Sequence, residues 1–105
     1  MPVVKATDAD FESALRSKPS TIVKFYADWC GSCKLIAPKF RRFSEDPNYA
    51  GVQFLEINAE ENEVARRKAG VNNLPFFAAF KGDTLIEGAA TNKEEAIISM
   101  IQTVQ

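Results

Sequence analysis

Apolar and polar positions change their period along the chain, and each change marks an element. Residues 2–6 form a short extended run, followed by the polar tetrad Thr7-Asp8-Ala9-Asp10. Thr7 or Asp8 is placed there as a helix N-cap, because a short side-chain oxygen can accept the unpartnered amides of a first turn. Phe11, Ala14 and Leu15 recur at helical spacing until Pro19, which disfavours helix in the residue before it. Residues 21–27 are β-branched and aromatic, the make-up of a central strand. Leu35, Ile36, Phe40 and Phe43 then read as the buried stripe of a second helix. Pro38 lies within it and predicts a kink, since proline lacks the amide donor and crowds the preceding turn. Asp46-Pro47-Asn48 ends that helix.

Residues 51–58 form a second central strand, and residues 60–69 a short polar helix stopped at Gly70. The loop Asn72-Asn73-Leu74-Pro75 leads to a strand over 76–80, a turn at Lys81-Gly82-Asp83 and a strand over 84–87. Asn92-Lys93-Glu94-Glu95 resembles a capping box with Asn92 as the cap, and Ile97, Met100, Ile101 and Val104 give an amphipathic last helix. The order is β-α-β-α-β-α-β-β-α. Alternating strands and helices call for a parallel sheet covered on its faces, and the late hairpin adds antiparallel strands. The fold class expected is α/β: one mixed sheet flanked by four helices, in a single domain over 1–105.

Composition narrows the chemistry. The chain has 105 residues, two cysteines, no histidine and a net charge of −1. Without histidine, Ser-His-Asp and Cys-His catalytic sets are excluded. Two cysteines cannot make a four-ligand zinc site, and an iron–sulfur cluster would have to be shared between chains, so no metal is expected. The charge balance gives no reason to expect nucleic acid or a membrane surface as partner. There is no apolar run long enough to span a bilayer and no secretory pattern at residues 1–5, so the cytoplasm is the expected compartment and a monomer the expected state.

The two cysteines stand as Cys30-Gly31-Ser32-Cys33, at the junction of a predicted strand and a predicted helix. Cys-x-x-Cys in that position of a small α/β chain is a redox signature. One helical turn puts the two sulfurs on one face. Cys30, the earlier, lies at the helix mouth, where unpaired amides and the helix dipole favour a thiolate. It is expected to be exposed and to act as the nucleophile, with Cys33, deeper in the first turn, as the resolving thiol.

At this point the chain resembles the thioredoxin family. The resemblance rests on the block from Phe25 to Lys34 (FYADWCGSCK), on Phe54-Leu55-Glu56, on Leu74-Pro75-Phe76 and on Phe80-Lys81-Gly82, in matching order and spacing over nearly the whole chain. It implies a thioredoxin fold with Cys-x-x-Cys at the start of the second helix. It also implies a reversible Cys30–Cys33 disulfide as the only redox group, with no bound cofactor. Protein disulfides are then the substrates, and a thioredoxin reductase drawing on NADPH is the electron donor. The same fold poised as an oxidant or isomerase, or kept as a non-catalytic binding subunit, are the alternatives.

Three departures from the family pattern stand out. Ser32 replaces a usual proline; its N–H and O–H can both approach sulfur and favour the thiolate. Lys24 replaces a usual buried aspartate and interrupts an apolar strand, while Glu56 interrupts the next one. The two are expected to face each other beneath the cysteines and to handle protons or tune Cys33, unless Lys24 simply reaches solvent at an edge. The glycine that such proteins carry before the last helix falls on Ala90, with Gly88 nearby. Trp29 is expected as an exposed lid beside the nucleophile. Gly31, Leu74 and Pro75 are expected to contact target, the last two through a loop whose backbone pairs with an extended segment. The Lys39-Phe40-Arg41-Arg42 cluster and Glu60, Glu61 and Glu63 read as solvated helix faces.

Overall fold

Alternation within the strands decides which helix covers which face. In β2 (Ser20–Tyr26), Val23 and Phe25 point one way, while Ile22 and Lys24 point the other. The computed structural model describes residues 2–105; Met1, the first residue of the expected domain, lies outside them. Among the described residues five strands form one sheet in the order β1-β3-β2-β4-β5. These are β1 (Val4–Lys5), β2, β3 (Gln53–Asn58), β4 (Phe76–Lys81) and β5 (Thr84–Ala90). β1, β3 and β2 pair parallel, β4 is antiparallel to β2, and β5 is antiparallel to β4, which makes the sheet mixed.

Helices α1 (Phe11–Arg16) and α3 (Glu63–Ala69) cover one face, packing Phe11, Leu15, Ala65 and Ala69 on Val23, Phe25, Leu55 and Ile57. Helices α2 (Gly31–Glu45) and α4 (Glu94–Val104) cover the other, packing Ile36, Phe40, Ile97 and Ile101 on Ile22, Phe54 and Phe77. Phe40 is the pivot of this second layer, with ring centroids 5.4 Å from Phe54 and 5.5 Å from Phe77. Among the described residues no helix is long and apolar enough to cross a membrane.

Several expectations are corrected. Leu35 is not part of the buried stripe; it is 78% exposed. The face of α2 that packs is Cys33, Ile36, Phe40 and Phe43, and a residue one step away from Ile36 is rotated about 100° from it. Pro38 falls inside α2, where the sequence puts it, and the helix continues beyond it to Glu45. Helix α3 begins at Glu63 rather than at residue 60, because the Glu60 amide is taken by Asn58 Oδ1 in a turn and Asn62 becomes the cap position. A 3-10 turn, Pro47–Tyr49, follows α2, with the Asp46 carboxylate accepting from the Asn48 amide. The cap position of α4 is Lys93, not Asn92, and the Lys93 amide donates to Thr91 Oγ1.

Neither Thr7 nor Asp8 caps α1, whose cap position is Asp10. Asp8 instead caps α3 from across the molecule: its carboxylate accepts from the Val64 and Ala65 amides at 3.1 and 2.8 Å. The Asp8 amide returns a bond to Asn62 Oδ1 at 2.7 Å. Substituting Asp8→Ala is expected to lower stability by about 1 kcal/mol, the usual cost of a lost N-cap, read as a lower urea midpoint at unchanged slope.

Candidate active site

Strand β2 ends at Tyr26, and the chain turns through Ala27-Asp28-Trp29 before α2 starts at Gly31. The turn closes with the Cys30 amide donating to the Ala27 carbonyl at 3.1 Å. Cys30 occupies the cap position of α2 with extended backbone, so its side chain lies over the first turn and its Sγ accepts from the Cys33 amide at 3.1 Å. Serine or aspartate oxygens usually fill that place; here a sulfur does. Cys30 and Cys33 are joined as a disulfide with Cα atoms 5.3 Å apart, inside the span such a bond requires.

The sulfur pair is less open than expected. Cys30 is only 5% exposed and Cys33 3%. The physical reason is the bond itself: it folds the Cys30 sulfur back onto the helix, against Ala27 and half-buried Tyr26 and Leu74. The recess remains at a helix beginning, bordered by open grooves.

On one side stands Trp29, 67% exposed, its indole N–H donating to Glu60 Oε2 at 2.8 Å. Glu60 therefore carries a contact to the site that the sequence pattern did not suggest. Across the recess the Leu74–Pro75 peptide bond is cis. Leu74 is half-buried and Pro75 buried. The Leu74 amide donates to Asn73 Oδ1 at 2.9 Å, and the Pro75 carbonyl accepts from the Thr91 amide at 3.1 Å. Gly31 is exposed, and a Cβ built on it would meet no atom within 4 Å. Ser32 is exposed as well. The sulfur's donor is the Cys33 amide, not Ser32.

Behind Cys33 lies an open cavity of about 290 Å³, with Lys24, Glu56, Tyr26, Lys5 and Lys34 on its wall. Lys24 and Glu56 are direct partners in the parallel register of β2 and β3, and Lys5 partners Glu56 from β1. Lys24 Nζ is 3.4 Å from Glu56 Oε2, and 5.6 Å from the centres of the Tyr26 and Phe40 rings. Lys24 does not reach solvent at an edge: β2 is interior to the sheet and the residue is 4% exposed. Burial pushes its ammonium below the ordinary lysine range, against the opposing pull of the Glu56 carboxylate.

The model of the family described as Thioredoxin matches residues 2–103. The chain belongs to the thioredoxin family. Thioredoxin-1 of Schizosaccharomyces pombe is 36% identical over 93 residues, covering 86% of this chain and 88% of that protein. Thioredoxin-T of Drosophila melanogaster is 36% identical over 86 residues, covering 82% of this chain but 54% of its own, so the chain spans about half of that relative. Among solved structures, Plasmodium falciparum thioredoxin superposes with a TM-score of 0.88 at 26% identity, over 98% of this chain and 100% of that one. A thioredoxin f2 structure in complex with ferredoxin:thioredoxin reductase has a TM-score of 0.88 at 23% identity, over 97% and 94%, a likeness of fold alone. As a thioredoxin, the chain is a dithiol–disulfide oxidoreductase whose redox-active centre is its own cysteine pair.

Proposed function

We propose that this thioredoxin reduces disulfides of target proteins in the cytoplasm as a single-domain monomer, with Cys30 attacking and Cys33 resolving. A thioredoxin reductase returns the electrons from NADPH. The observation that carries the reading is the Cys30 sulfur in the cap position of α2, hydrogen-bonded to the Cys33 amide. An amide aimed at that sulfur stabilises negative charge there, which is what an attacking thiolate needs.

In the first step the Cys30 thiolate attacks one sulfur of the target disulfide. A Cys30–target disulfide forms, and the other target sulfur leaves as a thiolate. Cys33 then loses its proton and attacks Cys30 Sγ. The Cys30–Cys33 bond forms and the second target sulfur leaves. Two electrons have passed to the target, and its two thiolates take up protons. The second attack is intramolecular, which gives it a large rate advantage over any external thiol.

Lys24 and Glu56 act on Cys33 through the cavity they share with it: Lys24 favours the Cys33 thiolate, and Glu56 passes protons to solvent. Trp29, Gly31, Leu74 and Pro75 form the surface that meets the target. Asn73 Oδ1 holds the Leu74 amide that an incoming extended backbone would take.

Coupled oxidation of NADPH by a thioredoxin reductase, in the presence of this protein and a protein disulfide, tests the reading. Turnover that requires all three components is expected; no turnover with any such reductase would remove it. In the disulfide form the Cys33 amide holds the Cys30 sulfur; once that bond opens, the Ser32 N–H and O–H, neither of which proline has, are free to favour the thiolate. Ser32→Pro is therefore expected to yield a stronger reductant, seen as a shift toward the oxidised form in a glutathione redox titration.

A further inference from the structure

Leu35 and Trp29 are the two most exposed large apolar side chains among the described residues, and they stand on either side of Cys30–Cys33 along the chain. Trp29 has its hydrogen bond to Glu60; Leu35 serves no packing in the fold. Two grooves meet beside it. One, of about 200 Å³, runs between Ser32 and the Leu74–Pro75 loop and reaches Asn92. The other, of about 170 Å³, is walled by Ser32, Leu35, Lys39 and Asn92. Sharing Ser32 and Asn92 as walls, they lie side by side between the cis-proline loop and the outer face of α2.

Ser32, Leu35 and Lys39 follow at i, i+3 and i+7, so they form one ridge. From Ser32 to Lys39 the ridge rises about 10 Å, the reach of roughly three extended residues. Its far end carries more than one cation around a single carboxylate. Lys39 Nζ lies 3.2 Å from Glu94, and the Arg42 guanidinium 4.0 Å from the same carboxylate, so two cations share one anion.

We propose that this ridge is a specificity element. It selects target segments that carry an apolar side chain and then an acidic one on one side of the reactive cysteine. The proposal rests on the reductase reading above and names the sequence class of its targets. The apolar side chain covers Leu35, and the acidic one meets the Lys39–Arg42 end.

Three homodimeric peptide disulfides test it. One carries Leu-Gly-Glu before its cysteine, one carries the same triplet after it, and one has only glycine and serine on both sides. Reduction by the pre-reduced protein is followed by chromatography of the liberated thiols. One of the two Leu-Gly-Glu peptides is expected to react about tenfold faster than the glycine-serine peptide. That ratio falls to near one in Leu35→Ser, and by about twofold to threefold in Lys39→Gln or in high salt. Equal rates for all three peptides, or a ratio that survives Leu35→Ser, overturn the proposal. Failure of the unaltered protein to reduce any peptide, or the small aromatic disulfide DTNB, would instead strike at the reductase reading itself.

Discussion

Cys30→Ser is expected to lower disulfide turnover by about a thousandfold or more, because a serine hydroxyl is not ionised near neutral pH and Cys33, the one thiol left, has no second sulfur with which to close and release a target. The variant should still fold, since the Oγ of serine is itself a good cap acceptor for the Cys33 amide. Cys33→Ser is expected to behave differently. Its first step remains, but the intramolecular release is gone, so the Cys30–target disulfide persists for as long as external thiol is scarce. On a non-reducing gel, incubation with a target disulfide should give a covalent adduct in Cys33→Ser and none in Cys30→Ser. The reverse pattern would exchange the roles of the two sulfurs.

Lys24→Met is expected to stabilise the protein near pH 7, by about 2 kcal/mol on the scale seen when buried charges give way to apolar residues of similar volume. Lys24 lies on an interior strand between Glu56 and Phe77, with the Phe40 ring above, and it is 4% exposed. Its ammonium has one carboxylate to face, and desolvation outweighs that attraction. Removing one member of a buried pair is usually costly because the other charge is stranded. Glu56 is not stranded here: its side chain is 30% exposed and Lys5 adjoins it from β1.

The dependence on pH has a definite sign. The folded lysine releases its proton at a lower pH than the unfolded chain, whose value is near 10.5. Between those two values the unfolded chain holds more protons, so stability of the unaltered protein rises with pH. Below the folded value the penalty is whole; above 10.5 it has vanished. The advantage of Lys24→Met should therefore be largest at neutral pH and shrink as pH rises toward 10.5, in urea unfolding of both proteins. A variant less stable at pH 7 would mean that the pair is net stabilising. The same substitution should also move the pH profile of the resolving step, since it removes the ammonium from the cavity that Cys33 lines.

The strands were the most legible part of the fold. β2 and β3 declare themselves as continuous apolar runs, buried on both faces, and Lys24 and Glu56 stand out as breaks in those runs, so their pairing could be anticipated. Leu35 was misread because it adjoins Ile36: when neighbouring positions are both apolar, the helical period fits either, and only the contacts of Phe40 and Phe43 choose. Asp8 was misread because it looks local, yet its partners Val64 and Ala65 lie 56 and 57 residues away. The exposure of Cys30 depended on where a closed disulfide turns its sulfur, which spacing does not tell. Glu60 beneath Trp29 and Asn73 on the Leu74 amide come from loops brought together only by the fold. No local pattern announces them.

The most direct test of the whole mechanism asks which sulfur the outside meets first. The reduced protein is treated briefly at pH 7 with less than one equivalent of iodoacetamide, and the alkylated residue is found by peptide mass spectrometry. Label on Cys30 in several-fold excess over Cys33 is the predicted result. Label divided equally, or found first on Cys33, would contradict a thiolate held at the tip of α2.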